Sequence, residues 1–142
     1  MKIAMAQMNA YLGDFVGNRK KILEKVKAAK AQGAEIVVFP EASLFGYHPM
    51  DLLERPEVVK SQLKELEKLQ KSLPEKILVL VGAITESKNK KGKPYQNSAV
   101  LLSKGKPARV FAKQLLPTYD VFDEARHIEP GEVQKNFFSY KG

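Results

Sequence analysis

The stretch of sequence that decides the fold is Glu35-Ile36-Val37-Val38-Phe39-Pro40-Glu41. Its β-branched run predicts a short buried strand, and Pro40 ends that strand because proline cannot donate to a sheet ladder. Glu41 comes directly after the break, so its carboxylate is expected at the rim of a sheet. A predicted helix precedes the stretch, which favours helices packed on a sheet.

Strand and helix patterns alternate on both sides of this stretch. Upstream, residues 2–8 alternate as a strand does, and Asn18 is expected to cap a helix that runs to about Ala31 and stops at Gly33. Downstream, residues 56–73 carry apolar side chains at helical spacing. Three more strands are predicted, joined as a meander: residues 77–85, 97–103 and 108–112. This order predicts an α/β, or α+β layered, domain.

Composition limits the class of protein. The chain has 142 residues, of which 44% are hydrophobic, and this suffices for one globular core. It contains no cysteine, which excludes a disulfide scaffold, a thiolate metal site and a cysteine nucleophile within these residues. His48 and His127 are isolated, so no metal site is predicted; His48 is expected in a turn and His127 in an exposed loop. No apolar run reaches the length of a membrane span and no signal-peptide pattern opens the chain, so a cytoplasmic protein without a membrane partner is expected.

The formal net charge of +8 raises the possibility of a nucleic-acid partner. The lysines, however, are dispersed over one face of the first predicted helix, the loop at residues 88–93 and the turn around Gly105. No aromatic residues are interleaved with them, as they are in many nucleic-acid-binding motifs. Nucleic-acid binding is therefore the disfavoured alternative, and it predicts a steep loss of binding with salt.

Two ionisable residues directly follow predicted strands, Glu41 and Lys113. A carboxylate at such a rim can act as a general base, and an ammonium can stabilise a developing oxyanion. Either residue is also explained by simple solvation. Residues 115–126 keep no period although they are rich in charges and aromatic rings, which is more typical of a site than of a core.

Three segments resemble signatures of the nitrilase, or carbon-nitrogen hydrolase, superfamily: Phe39-Pro40-Glu41, Lys113-Gln114-Leu115-Leu116-Pro117 and Ile3-Ala4-Met5-Ala6-Gln7. Residues 46–53 and 119–131 resemble, in particular, the amidase domain of glutamine-dependent NAD synthetases. The resemblance covers about residues 3–131. It implies part of an αββα four-layer sandwich. Residues 1–142 would then be the N-terminal portion of the amidase domain, with its remainder and a synthetase domain absent.

The resemblance also implies roles for individual residues. Glu41 would be the general base for a cysteine thiol, and Lys113 would stabilise the oxyanion formed when the thiolate attacks glutamine. Tyr47, Tyr119 and Glu124 match positions around the glutamine pocket. The residues alone leave other interpretations open: core packing for Tyr47, a half-buried loop ring for Tyr119, and a surface ion pair with Arg126 for Glu124.

Because the cysteine is absent, the resemblance implies a chain that is inactive alone. No cofactor is expected in these residues; ATP, Mg²⁺ and deamido-NAD would be used by the synthetase domain of the same parent protein. L-glutamine is the expected small-molecule substrate. The alternatives are a fragment of another nitrilase-family amidase, or a non-catalytic module. Half a sandwich leaves apolar sheet faces open, so a homo-oligomer is expected.

Overall fold

A mixed sheet of five strands is the centre of the protein, as described for residues 1–140 by a computed structural model. The strands are β1 (Ile3–Met5), β2 (Ile36–Val38), β3 (Leu78–Glu86), β4 (Tyr95–Leu102) and β5 (Arg109–Ala112). They lie in chain order across the sheet: β1, β2 and β3 are parallel, whereas β4 is antiparallel to both β3 and β5. The predicted layered α/β class and the predicted meander are thus confirmed.

Two helices, α1 (Phe15–Ala31) and α2 (Pro56–Ser72), pack on one face of the sheet. Between them and the strands lies the main apolar core, which includes Ile22, Val26, Val37, Leu66, Leu69, Val79, Val81 and Val100. Burying each such side chain contributes about 1.5–3 kcal/mol relative to exposing it. Three short 3-10 turns complete the structure: Met50–Glu54, Glu124–Arg126 and Val133–Lys135. Within residues 1–140, every helix is too short or too polar to cross a membrane.

The start of α1 corrects the sequence prediction, because Asp14 rather than Asn18 caps the helix. The Asp14 carboxylate accepts a hydrogen bond from Gly17 N at 2.9 Å. Asn18 lies inside the helix and is fully buried. Its amide donates to the carbonyl oxygens of Tyr11 (2.7 Å) and Leu44 (3.1 Å). Asp and Asn both suit a helix cap, so residue type alone does not distinguish these two positions. Asn18 does not cap the helix but holds two loops against it.

The opposite face of the sheet is covered in part by the segment at residues 132–140. Asn136 Nδ2 donates to Ala112 O at 2.8 Å, and the ring of Phe138 lies 5.6 Å from that of Phe111. Elsewhere this face is open enough that the side chain of Ala99 on β4 is exposed. The open part adjoins the ends of β2 and β5, where the predicted site residues lie.

Candidate active site

Glu41 lies in a turn that is fixed to the neighbouring strand β3. Leu44 N donates to Gly82 O at 3.0 Å, and Ser43 Oγ accepts from Gly82 N at 3.1 Å. A side chain at Gly82 would collide with the backbone of the turn, so glycine is needed for this close approach. Ala42 has a φ of 49°, in the left-handed region that non-glycine residues rarely adopt. Such local strain is typical of functional sites.

Lys113 continues directly from β5, and its backbone is held on both sides. Its N–H donates to Asn97 O at 2.7 Å, and its carbonyl oxygen accepts from Gly131 N at 2.9 Å. A side chain at Gly131 would meet the backbone of Ala112, so the two segments can lie this close only with glycine there. The long side chain of Lys113 therefore starts from a fixed point.

Four side chains meet between these two segments and form a closed ring of contacts, the acid–lysine ring: Glu41, Lys113, Glu124 and Asn97. Lys113 Nζ lies 2.9 Å from Glu41 Oε1 and 2.9 Å from Glu124 Oε2. Asn97 Nδ2 lies 2.5 Å from Glu41 Oε1 and 3.3 Å from Glu124 Oε1. The head groups of Glu41 and Lys113 thus converge at one point of the sheet edge.

The ring fixes the charge of Lys113. Its partial burial taken alone would lower the pKa of the ammonium, but the hydrogen bonds and charges of Glu41 and Glu124 outweigh that effect. The pKa of Lys113 is therefore raised above its ordinary value, and the side chain stays positively charged at neutral pH. Lys113 can stabilise an anion but is not suited to accept a proton.

Glu124 is the buried carboxylate of the ring, since its side chain is only 6% exposed. The turn that carries it is held by Glu124 N, which donates to Pro117 O at 3.2 Å, and by Ile128 N, which donates to Glu124 O at 3.0 Å. The sequence left open a surface ion pair between Glu124 and Arg126, and this alternative is wrong. Arg126 Nη2 instead donates to Glu54 Oε1 at 2.8 Å.

An aromatic row lies beside the ring and comprises Tyr47, His48, Phe122 and Tyr119. Tyr47 stacks on His48 with ring centroids 5.1 Å apart, Phe122 lies 5.9 Å from His48, and Tyr119 meets Phe122 edge-on at 5.6 Å. Burial, followed by the charge of the Glu41 carboxylate, raises the pKa of Tyr47, which places this phenol within the field of the ring. Tyr119, at the far end of the aromatic row, is 70% exposed. The sequence left open a half-buried loop ring for Tyr119, and this alternative is wrong.

A second cluster of ionisable groups comprises Asp51, Glu54, Arg126 and His127. Within the described part of the chain, Asp51, Glu54 and His127 offer ligand atoms within 4.8 Å of one another. Arg126 already lies among them, 2.8 Å from Glu54 Oε1 and 3.9 Å from Asp51 Oδ1, and compensates the carboxylates. The prediction that His127 is exposed in a loop is wrong, because its side chain is only 16% exposed. Its backbone N–H donates to Glu124 O at 3.3 Å within the 124–128 turn.

A cleft of about 480 Å³ adjoins the acid–lysine ring on the open face of the sheet. Glu41, Asn97 and Lys113 contribute polar groups to its lining, and Leu80 and Phe111 are among its apolar walls. A concave, mostly apolar surface with a few convergent polar groups is typical of a small-molecule site.

Asn97 is the member of the ring that sequence reasoning missed. It is 6% exposed in the middle of the sheet, at a position where strands more often carry apolar or β-branched residues. A buried amide must find hydrogen-bond partners. The polar run Gln96-Asn97-Ser98 at the start of a predicted strand was therefore the available signal, but the partners of Asn97 could not be named without the strand register.

A family model for carbon-nitrogen hydrolases matches residues 2–138, and the chain belongs to that family. Its similarity to glutamine-dependent NAD(+) synthetases is equally clear. The synthetase of Synechocystis sp. is 39% identical over an alignment of 142 positions, which covers 98% of this chain and 25% of that protein. The structure of the Acinetobacter baumannii synthetase is 34% identical with a TM-score of 0.81, and the match covers 92% of this chain and 24% of that one.

An amidase from Nesterenkonia sp. shares the fold, with a TM-score of 0.70 and 23% identity over 93% of this chain and 48% of that one. The chain spans about a quarter of the length of the curated relatives it matches. The resemblance predicted from the short sequence segments is thus confirmed.

Proposed function

We propose that this chain supplies the acid–lysine part of a glutamine-hydrolysing amidase that belongs to a glutamine-dependent NAD synthetase. The observation that carries the proposal is the contact of Lys113 Nζ with both Glu41 Oε1 and Glu124 Oε2, at 2.9 Å each, beside an open cleft. Membership of the carbon-nitrogen hydrolase family supports amide hydrolysis. Similarity to the synthetases supports glutamine as the amide.

The proposed reaction uses a cysteine thiol from outside these 142 residues, since the chain itself contains no cysteine. Glu41 takes the thiol proton, and the thiolate attacks the carboxamide carbon of glutamine. The oxyanion that forms is stabilised by the ammonium of Lys113. Glu41 returns the proton to the leaving nitrogen, and ammonia departs. Glu41 then takes a proton from water, and the resulting hydroxide attacks the thioester carbon. As the carbon–sulfur bond breaks and glutamate is released, Glu41 returns this proton to the thiolate.

Tyr47 and Tyr119 are proposed to hold the polar end of the substrate at the rim of the site. A tyrosine phenol is protonated near neutral pH, and the raised pKa of Tyr47 is consistent with its donating a hydrogen bond there. About half of its surface is exposed and thus free to contact a ligand. Tyr119 is more exposed still and lies at the outer end of the aromatic row.

Ammonia is proposed to serve the ATP-dependent amidation of deamido-NAD in a synthetase domain of the same parent protein, which we place in the cytoplasm as a homo-oligomer. Neither long helix of residues 1–140 offers a free N-terminus to a triphosphate. The N-terminus of α1 is occupied by the Asp14 carboxylate, and α2 begins with Pro56 and Glu57. Helix N-termini that cradle phosphate offer free N–H groups instead. No step on ATP is assigned to this chain.

The test is ammonia release by the extended protein, in which this chain is continued by the residues that its reading frame encodes after Gly142. Glutamine, asparagine and propionamide are compared as substrates, and the 142-residue chain alone is the control. The extended protein is expected to prefer glutamine. A preference for propionamide would indicate another kind of amidase. A stop codon directly after Gly142, or no release from any of the three amides, would favour a non-catalytic module.

A further inference from the structure

We infer that Asn97 is a positioning residue that selects which oxygen of Glu41 accepts the proton and which proton of Lys113 meets the oxyanion. This inference rests on the proposed function. Its basis is that Asn97 contacts every other member of the acid–lysine ring. The side-chain nitrogen of Asn97 donates to Glu41 at 2.5 Å and to Glu124 at 3.3 Å. Its backbone oxygen accepts from Lys113 N at 2.7 Å.

The two carboxylate oxygens of Glu41 differ in their hydrogen bonds. Glu41 Oε1 receives two donors, Asn97 Nδ2 and Lys113 Nζ. Among residues 1–140, no hydrogen bond reaches the other oxygen, Oε2, and the Glu41 side chain is 44% exposed. Oε2 is therefore the oxygen free to take a proton from a thiol or from water.

The ammonium of Lys113 is likewise only partly occupied by its partners in the ring. Lys113 Nζ carries three protons and faces two carboxylate oxygens, one from Glu41 and one from Glu124. One proton remains for an oxyanion. Asn97 keeps this arrangement in place because its two amide protons bridge the same two carboxylates. Without that bridge the carboxylates lose their fixed separation, and both oxygens of Glu41 become equivalent partners for Lys113.

The position of Asn97 suits this task. It lies in β4, paired with Ile84 of β3, and is 6% exposed, so the amide has little freedom to turn towards solvent. It also anchors the backbone from which the Lys113 side chain starts. One residue thus sets both the base of the lysine side chain and the partners of its head group.

The first test is spectroscopic and uses the chain as it is. In ¹⁵N-labelled protein, the two side-chain amide protons of Asn97 are expected to be protected from solvent exchange. Glu41→Gln should shift one of these signals and Glu124→Gln the other. If neither substitution shifts the side-chain amide signals of Asn97, the inference is overturned, whether or not the proposed function holds.

The second test is kinetic and uses the extended protein with glutamine. Asn97→Asp keeps the shape of the side chain but removes its donor. The matched control is Asn89→Asp, because Asn89 Nδ2 also donates to a carboxylate at 2.5 Å, that of Glu129, in a loop away from the ring. Asn97→Asp is expected to lower kcat on the order of 10²-fold, the loss typical of a misplaced reacting group, with KM nearly unchanged.

The pH profile separates positioning from packing. The added carboxylate of Asn97→Asp should move the acid limb of kcat to higher pH, which a packing defect alone would not do. Asn97→Ser, which retains a hydroxyl donor, should recover part of kcat. Unchanged kcat in Asn97→Asp, or an equal loss in Asn89→Asp, would overturn the inference. If the unsubstituted extended protein releases no ammonia, the proposed function fails, and the spectroscopic test decides the role of Asn97 on its own.

Discussion

The energetic consequence of the acid–lysine ring can be tested with Lys113→Met and Glu124→Gln, made singly and together. Lys113→Met removes the ammonium and leaves the Glu124 carboxylate, 6% exposed, without its charged partner. Glu41 also loses the ammonium, but its side chain is 44% exposed and can turn to water. The cost of the single substitution therefore comes mainly from Glu124.

The magnitude follows from the burial of the pair. Breaking a buried ion pair from one side costs roughly 3–5 kcal/mol, and we use the lower end, since the Lys113 side chain is 29% exposed. Glu124→Gln alone should cost about 1–2 kcal/mol, because the amide still accepts hydrogen bonds from its neighbours. In the Lys113→Met background the same change removes a stranded buried charge and should restore about 1–2 kcal/mol.

The assay is urea unfolding followed by circular dichroism for the unsubstituted chain, both single variants and the double variant. All four are compared at one protein concentration, so that any self-association affects them equally. The control is Lys104→Met, which removes one partner of an exposed ion pair with Glu75 (46% and 69% exposed) and should cost less than about 1 kcal/mol. A double variant less stable than Lys113→Met, by the full cost of Glu124→Gln, would refute a buried coupled pair.

Three further predictions follow from the same structure. The 142-residue chain, which has no cysteine, should release no ammonia from glutamine above the buffer rate in a coupled ammonia assay; turnover typical of an enzyme would contradict this. The chain should self-associate through the open sheet face around Leu80 and Ala99 in sedimentation run beside a thermal melt, whereas a monomer with a cooperative transition at high temperature would contradict it. The pKa of Glu65 is held below its ordinary value by the hydrogen bond from Lys68, opposed by burial and reinforced by Arg19. The stability contributed by these pairs is present above the ordinary pKa and lost as the pH falls through the lowered one. Glu65→Gln should therefore cost about 1–2 kcal/mol at pH 7 and progressively less in acid; a cost independent of pH would refute the assignment.

The elements predicted well from sequence are those whose pattern is local. The β-branched run before Pro40 and the helical spacing of residues 56–73 reappear as β2 and α2. The predicted strand at residues 2–8 is shorter in the structure because β1 lies at the sheet edge and pairs with β2 over only three residues. Asn18 was misassigned because its tertiary partners, and not its residue type, decide its role.

The site was predictable only in part. Glu41 and Lys113 each follow a strand, and a meander of three strands turns β5 into the direction of β3 and β2. The ends of β2 and β5 therefore meet at one edge of the sheet. Glu124 and His127 lie in an irregular segment whose position depends on tertiary contacts, so their burial could not be derived from a period. For Glu124, the family resemblance gave the indication that the residues alone did not.

The most direct test of the account is the effect of Glu41→Gln on kcat for glutamine in the extended protein. The substitution retains the size of the side chain, but the neutral amide cannot accept the thiol proton. The control is Glu67→Gln, which changes an exposed carboxylate on α2 remote from the cleft. A loss of kcat of about 10²–10⁴-fold for Glu41→Gln, with Glu67→Gln unchanged, is expected for a general base. A Glu41→Gln protein that hydrolyses glutamine as fast as the control would contradict the account.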